Sequence, residues 1–343
     1  MKKKRVSIKD IASDLNISVT TVSFVLNGKA EEKHISKELI GKVLAHVKKV
    51  NYTPNQIAQS LRTGESKILV FMVEDISNLF FAQLARLIED LAYKKGYKVL
   101  FCSNDNDDKK SVELINLFKI RQVDGFILVS SPGIQNTINQ LIEEHIPVVL
   151  LDRYFPGLNA NHVITDNNDA SHMAVCHFVE NGFKNIAYIT IDVSQSQMED
   201  RLKGYRLAIK EHNLPEYTLQ IPFQDAIKGN SGGYIRDFLK TNPDIDAILF
   251  ATNYLLQSGL EVIKEKSSDL INKMGIITFD DNELFKTYSP TITVVAQPTK
   301  AMAEEAMELI LHLIKNKKEE VTNKQIELKS SLIVRESSKQ INT

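Results

Sequence analysis

The chain has 343 residues, with 42 Lys or Arg against 43 Asp or Glu, so its formal net charge is −1. This length exceeds that of one small domain, and the balanced charge argues against a protein that is basic throughout and binds nucleic acid over its whole surface. The charge is unevenly placed, however, because residues 1–64 carry 12 basic and 5 acidic residues, a balance of +7, whereas the remainder carries −8. A small basic segment on an acidic body is the pattern expected of a phosphate-contacting module joined to another domain.

The sequence favours neither export, membrane insertion nor metal binding. The basic start at residues 1–5 is followed by no apolar run of signal-peptide length, and no run approaches a membrane span, so we expect a cytoplasmic protein. Cys102 and Cys176 lie in separate apolar runs, which is typical of buried free thiols. The eight His show no HExxH or CxxC companions, and residues 105–110 lack the Gly and Glu of a calcium loop. We therefore expect no metal and no cofactor.

Residues 6–27 read as two short helices joined by a tight turn. Ser7 with Asp10 forms an acidic capping box, and Ser18 is placed to cap a second helix. Asn16 stands in the turn, where a residue that tolerates the left-handed conformation is needed. The apolar residues follow at helical spacing: Ile8, Ile11, Ala12 and Leu15, then Val22, Val25 and Leu26. This pattern predicts a helix-turn-helix, whose second helix enters the DNA major groove, although any two amphipathic helices with a tight turn would look similar.

Two segments near the start closely resemble the headpiece of the lactose-repressor/galactose-repressor family. The first comprises Ile8–Ala12 (IKDIA) and Ile17–Gly28 (ISVTTVSFVLNG), and the second is Tyr52–Leu61 (YTPNQIAQSL). The signature is long and its spacings are fixed, which makes chance a poor explanation. The resemblance implies a sequence-specific transcriptional regulator, expected to be a repressor of carbohydrate genes and not an enzyme, that binds a pseudo-palindromic double-stranded operator under the control of a sugar-like effector.

The resemblance also assigns the DNA contacts. Base readout is expected from Val19, Thr20 and Phe24, where Phe24 departs from the polar residue that many members carry and so favours an apolar contact. Phosphate contacts are expected from five residues, although Thr21 and Ser23 are equally compatible with solvated helix positions. These five are Thr21, Ser23, Asn27, Tyr52 and Asn55.

Residues 55–64 are expected to form a hinge helix that orders on operator DNA. By resemblance, Leu61 wedges into a minor-groove base step and Ala58 packs beside it. A helix of about seven residues is marginal in isolation, which suits a switch. A plain linker helix is the alternative.

From Lys67 onward, short apolar strands alternate with helical stretches of roughly a dozen residues, which predicts parallel α/β sheets covered on both faces. Expected strands include Ile68–Val73, Val99–Cys102, Gly125–Val129, Val148–Leu151, Ile186–Ile189, Ile245–Phe250 and Ile276–Phe279. Nine or more strands over this length suggest two sheets. The body resembles the family's ligand core, which is built like periplasmic sugar-binding proteins, with two doubly wound lobes joined by three crossing segments.

The resemblance gives the expected domain limits. They are a headpiece at 1–54, a hinge at 55–64 and a core at 65–338. Lobe 1 is expected at about 65–163 and 292–324, and lobe 2 at about 164–290 and 325–338. The crossings are expected near Asn161–Asp166, Pro290–Val294 and Asn323–Leu328. The chain carries no leucine-heptad tail before Thr343, so a homodimer is expected.

Ligand sites in open α/β sheets lie beyond the carboxyl ends of strands. Polar or aromatic residues follow several of the expected strands, and together with the resemblance they predict a ligand set of seven: Phe80, Phe81, Asp152, Arg153, Arg201, Asn253 and Asp280. Carboxylates and amides suit paired hydroxyls, Arg adds donors and an aromatic ring stacks on a sugar face. Helix caps at Asn253 or Asp280 and an interlobe salt bridge at Arg153 are the competing interpretations.

Two other classes of protein fit less well. A transporter's solute-binding protein would carry an export signal and no basic headpiece. An enzyme would be expected to show G-x-G-x-x-G, a P-loop or G-x-S-x-G, and none is present. The sequence leaves the effector, the operator and the sign of the response open.

Overall fold

The computed structural model describes residues 6–52, 64–266, 273–316 and 323–339. The chain divides into two compact units at residue 66. In the described residues, no helix is both long and apolar enough to cross a membrane.

The described residues of the first unit form three helices, α1 (Ile8–Asp14), α2 (Val19–Leu26) and α3 (Lys37–Lys49). The Ser7 backbone N–H donates to Asp10 Oδ2 at 2.7 Å and Ser7 Oγ accepts from Asp10 N at 3.3 Å, which completes the capping box. Ser18 Oγ accepts from Thr21 N at 2.9 Å and so starts α2. Asn16 has a φ of 51°, as the turn requires.

A small apolar core holds these helices together. Ile11, Val22 and Val43, one from each helix, are fully buried, and Tyr52 packs against the same cluster. The helix-turn-helix predicted from the spacing of apolar residues is therefore confirmed, with α3 as the third wall of its core.

Lobe 1 of the second unit is a six-stranded parallel sheet in the order β11-β5-β4-β3-β1-β2. Its strands are β1 (Ile68–Val73), β2 (Lys98–Ser103), β3 (Gly125–Leu128), β4 (Val148–Leu151), β5 (His162–Thr165) and β11 (Gln325–Leu328). Its helices are α4 (Leu79–Lys94), α5 (Asp108–Ile120), α6 (Gln135–Glu143) and α12 (Thr299–Lys315). Separate apolar cores cover the two faces of the sheet, as expected for parallel strands.

Lobe 2 has a second six-stranded sheet, in the order β12-β10-β9-β8-β6-β7, in which only the β10–β12 pair is antiparallel. Its strands are β6 (Ile186–Asp192), β7 (Tyr217–Pro222), β8 (Ala247–Phe250), β9 (Gly275–Phe279), β10 (Thr293–Ala296) and β12 (Ser331–Ile333). Its helices are α7 (Asn167–Glu180), α8 (Ser196–Glu211), α9 (Phe223–Ile227), α10 (Ser231–Thr241) and α11 (Asn253–Lys266). Short 3₁₀ helices occupy Glu283–Lys286 and Glu336–Ser338. The two-lobed α/β fold class is confirmed.

The structure corrects two of the three expected crossings. The first follows β5 at Asp166, as expected, but β10 pairs with β9 and so belongs to lobe 2, which moves the second crossing to residues 297–298. Similarly, β11 pairs with β5 in lobe 1, so the third crossing lies at residues 329–330. The expected lobe limits at 292 and 325 were wrong, because both short strands had been taken for the crossings themselves.

Helices α7 and α8 pack closely at Gly204, which has no side chain to separate them. A Cβ on Gly204 would overlap the backbone oxygen of Asn168, so the two helices approach this closely only because the residue is glycine. On the next residue, the Tyr205 hydroxyl lies inside lobe 2 and bonds the Ile186 oxygen and the Tyr217 N–H, both at 2.9 Å. This packing fixes the helix that carries Arg201.

Gly204→Ala should therefore destabilise the core by about 2–3 kcal/mol, because overpacking forces the helices apart. Urea unfolding followed by circular dichroism measures the change. Gly233→Ala is the matched control, since Gly233 lies in helix α10 of the same lobe with open space where its Cβ would stand; there the loss of unfolded-state entropy should leave stability unchanged or slightly raised. Equal effects of the two substitutions would contradict the close contact.

Candidate functional sites

The first turn of α2 presents the residues expected to read bases. Val19 is 41 % exposed and Thr20 is also exposed, so both side chains are accessible at the helix N-terminus. Phe24, one turn later, is half-buried, and the Lys33 Nζ lies 5.7 Å from the centre of its ring. The helix end that a major groove would receive is thus small, partly apolar and flanked by a cation.

The residues expected to contact phosphates also serve the headpiece itself. Thr21 Oγ1 lies 2.8 Å from Ser18 Oγ, and Asn27 Nδ2 donates to the Ser23 oxygen at 2.6 Å, which closes the end of α2. Tyr52 is half-buried against the core. The expected contacts of Asn55, Ala58 and Leu61 lie outside the described residues.

In the second unit, a narrow chamber lies between the two lobes. Its open volume is about 30 Å³, room for about two water molecules. Six of the seven expected ligand residues line it: Phe80, Phe81, Asp152, Arg153, Arg201 and Asp280. Asn253 begins α11 and donates from Nδ2 to Asn78 Oδ1 of lobe 1 at 3.3 Å, so it contributes to the contact between lobes.

Asp152 and Asp280 follow the carboxyl ends of β4 and β9, and both have a left-handed backbone, with φ of 74° and 70°. A non-glycine residue adopts this backbone conformation at a cost in free energy, and such strained residues are often found at functional sites. The turn places one carboxylate from each lobe in the same chamber.

Arg201 is 2 % exposed. Its Nε donates to Asn167 Oδ1 and its Nη1 to the Ala251 oxygen, both at 2.7 Å, while the guanidinium lies 3.9 Å from the centre of the Phe279 ring. These contacts fix the side chain before any ligand arrives.

A hydrogen-bonded chain runs from Asp280 to lobe 1. Gln297 Nε2 donates to Asp280 Oδ1 at 2.7 Å, and Thr165 Oγ1 donates to Gln297 Oε1 at 2.8 Å. Burial raises the pKa of Asp280, although the nearby Arg201 charge and the Gln297 hydrogen bond oppose the shift. Within the described residues, no protein group bonds the second carboxylate oxygen.

Arg153 fills one side of the chamber. Its guanidinium donates at 3.1 Å to Glu74, Asp152 and Asn106, so two carboxylates pair with its charge. The residue is only 4 % exposed, so this ion-pair network is buried. Burial disfavours the charged guanidinium, but the carboxylates of Glu74 and Asp152 outweigh it and hold the pKa of Arg153 above its ordinary value. The ion pairs lie within lobe 1, so the alternative of an interlobe salt bridge is not what the structure shows.

Three consecutive residues of lobe 2, Gln195 to Gln197, bond lobe 1. Gln195 Nε2 donates to Asn106 Oδ1 at 2.9 Å, Ser196 Oγ accepts from Tyr154 N at 3.0 Å, and the Gln197 side-chain oxygen accepts from Arg153 at 3.0 Å once its amide is oriented to satisfy both groups. We call this segment the latch. It connects the start of α8 to the loops after β2 and β4.

A larger vestibule of about 250 Å³ adjoins the chamber and shares Phe80, Asp280 and Gln297 with it. Its other lining residues are Gln83, Asp281, Asn282, Glu283, Ala296 and Thr299. The Asp281 carboxylate is paired with Arg335 Nη2 at 2.8 Å. A ligand at the second oxygen of Asp280 would have room on this side.

The predicted ligand set omitted Glu74, Asn78, Gln197 and Gln297, which all line the chamber. Glu74 and Asn78 follow β1, so the rule that sites lie beyond strand ends applied to them as well. Gln297 directly follows β10, so the same rule applies to it once β10 is recognised as a strand, whereas the place of Gln197 depends on how the lobes meet. In the described ranges, no group of three or more His, Cys, Asp or Glu is arranged to hold a metal ion.

Comparison with known proteins gives two matching families. Residues 7–55 match the bacterial regulatory proteins of the lacI family, and residues 175–338 match a periplasmic binding protein-like domain. The ribose operon repressor of Halalkalibacterium halodurans is 30 % identical over 335 residues, which cover 97 % of each chain.

Solved structures also share the fold. The lac repressor dimer bound to operator and the anti-inducer ONPF has a TM-score of 0.83 at 21 % identity, covering 98 % of this chain and 100 % of that one. A periplasmic binding protein/LacI transcriptional regulator from Alkaliphilus metalliredigens complexed with D-xylulofuranose has a TM-score of 0.68 at 24 % identity, covering 79 % of this chain and 98 % of that one.

Proposed function

Since the chain belongs to the lacI family of bacterial regulatory proteins, we propose that it is a cytoplasmic transcriptional repressor of carbohydrate genes, released from or recruited to its operator by a sugar-like effector. Like its family it is a DNA-binding regulator and not an enzyme. The repressor role and the carbohydrate genes are supported by the ribose operon repressor, which matches over nearly its whole length.

A homodimer would place one headpiece in each half of a pseudo-palindromic operator, with paired hinge segments in the central minor groove. The two-fold symmetry of the site then mirrors that of the protein. Effector binding between the lobes would shift them and change the spacing of the hinges. A coupling free energy of about 1–3 kcal/mol is typical of such systems, and DNA must alter effector affinity by the same factor.

The proposed effector site rests on one observation: Arg201 and Asp280 line the same chamber, and protein hydrogen bonds fix both side chains. Among the described residues, Arg201 Nη2 and the second carboxylate oxygen of Asp280 make no hydrogen bond. Asp280 would accept hydrogen bonds from adjacent hydroxyls, Arg201 would donate to a ring or hydroxyl oxygen, and Phe80 would cover an apolar sugar face. Asp152, Arg153 and Phe81 would complete the wall, and Asn253 would act through Asn78.

The headpiece offers a direct test of the proposal. After an operator has been selected from random duplex DNA, Thr20→Ala should weaken binding by about 1–3 kcal/mol and relax selectivity at one base position in each half-site. Fluorescence anisotropy at fixed salt measures the affinity, because phosphate contacts make it salt-dependent.

Ser13→Ala, at an exposed position of α1, serves as the control and should bind as the wild type does. The Thr20 side chain makes no hydrogen bond among the described residues, so its loss should leave the thermal midpoint unchanged. If Thr20→Ala binds the selected site as tightly as the wild type, the assignment of α2 as the recognition helix fails.

A further inference from the structure

We infer that the effector is an uncharged sugar or polyol of about monosaccharide size, carrying neither a phosphate nor a carboxylate group. The inference rests on the proposed function, because it concerns the same cleft and adds the chemical class of its ligand. Three features of the described residues support it: the charge of the chamber, the prior use of its cations, and the composition of the vestibule.

The chamber has no surplus of positive charge. Three carboxylates line it, from Glu74, Asp152 and Asp280, against the two guanidinium groups of Arg153 and Arg201. A phosphate would add up to two negative charges to a buried site. In such surroundings, uncompensated charge is costly, because protein groups replace little of the hydration that the ion loses.

Both guanidinium groups already have protein partners. Arg153 donates from Nε and both Nη atoms to protein oxygens, and two of these belong to carboxylates. Arg201 donates from Nε and Nη1, so Nη2 is its one guanidinium nitrogen without a hydrogen bond among the described residues. One such nitrogen suits a hydroxyl or ring oxygen, whereas anionic oxygens are typically held by bidentate, charge-assisted bonds.

The vestibule offers hydroxyl-binding groups and no cation. None of its nine lining residues is Lys or Arg, and three are acidic: Asp280, Asp281 and Glu283. The amides of Gln83, Asn282 and Gln297 and the hydroxyl of Thr299 supply donors and acceptors that match a polyol. Its volume of about 250 Å³ lies below the range of pockets that enclose drug-sized molecules, which suits one sugar ring or a short polyol.

The experiment uses the full chain and matched sets of compounds: neutral pentoses, hexoses and hexitols, the phosphate monoester of each, and the corresponding sugar acid. Each is added at the same concentration and ionic strength, and the thermal midpoint is measured. At least one neutral compound should raise the midpoint, since a ligand stabilises the state it binds, and its phosphate ester and acid should bind at least tenfold more weakly by calorimetry.

Gln83→Arg adds a specific control, because it places a cation on an exposed helix position at the vestibule. This variant should shift the ratio of the two affinities toward the phosphate ester, because the added cation attracts an anion while the neutral compound loses the hydrogen bonds of the Gln83 amide. Gln83 has no hydrogen bond among the described residues, so the substitution should leave stability unchanged.

Tighter binding of a phosphate ester or sugar acid than of its neutral counterpart would overturn the inference, as would the failure of every neutral compound to bind. Either result leaves the proposed function standing if the protein still binds its selected operator. If the protein binds a neutral sugar but no operator DNA, the class of ligand would be correct and the proposed function as a DNA-binding regulator would fail.

Discussion

Arg153→Met is expected to lower the free energy of unfolding of the ligand-binding core by about 3–5 kcal/mol, the usual cost of removing one partner of a buried ion pair. The guanidinium is the common partner of Glu74 and Asp152, and each of these residues is less than 10 % exposed. Methionine fills much of the same volume, so the loss reports the two uncompensated carboxylates more than a cavity. Urea unfolding at neutral pH measures it.

Arg86→Met is the matched control, because Arg86 pairs with Glu89 and Asp90 on the surface of α4, where its side chain is 71 % exposed. Exposed pairs contribute at most about 1 kcal/mol. The double variant Glu74→Gln with Arg153→Met should recover part of the loss, which gives the coupling between the two residues. If Arg153→Met lowers the free energy of unfolding no more than Arg86→Met does, the ion pairs of Arg153 with Glu74 and Asp152 are not buried as the structure shows them.

Asp280→Asn is expected to weaken effector binding about 10- to 100-fold, the range for removing a hydrogen bond to a charged group, without destabilising the unliganded core. Asparagine tolerates the left-handed φ of 70° at this position and still has an oxygen to accept from Gln297. Calorimetry with the effector and unfolding without it separate the two effects. Asp280→Ala would not, because it adds backbone strain.

The pH dependence of stability tests independently whether the carboxyl group of Asp280 is buried. Burial raises the pKa of Asp280 in the folded state, so the native protein binds more protons than the unfolded chain between the ordinary Asp pKa and the raised one. The stability of the wild type should therefore fall as pH rises through this window, and the fall should be smaller in Asp280→Asn. An identical pH profile in both proteins would contradict a buried carboxylate.

The parts of the fold that sequence predicted best are those with purely local signals. The caps at Ser7 and Ser18 and the apolar spacing of α1 and α2 fixed the headpiece, and continuous apolar runs marked the buried strands β1, β4 and β8. The four residues of β11, by contrast, are each at least partly exposed. Such a strand has no buried run to reveal it, and it was taken for a crossing.

The candidate site divides in the same way. Asp152 and Asp280 were predicted because each follows a strand that local pattern reveals, beyond whose carboxyl end ligands bind, and because the family resemblance assigns ligand contact to both positions. Gln197 joins the chamber because the two lobes face each other, and Gln297 joins it because it follows β10, a short strand that was not predicted. Their hydrogen-bond partners, Arg153 and Asp280, are 44 and 17 residues away in the chain, so local sequence patterns do not reveal these contacts.

The latch from Gln195 to Gln197 has a consequence for the speed of the response. Because the chain's own hydrogen bonds to Asn106, Tyr154 and Arg153 hold the lobes together, and the chamber has room for about two water molecules, the proposed effector can fill the chamber, as opposed to the vestibule, only when the lobes move apart and these bonds break. We therefore expect the rate of effector association to saturate as effector concentration rises, at the rate at which the lobes open, and we expect the same hydrogen bonds to slow effector release.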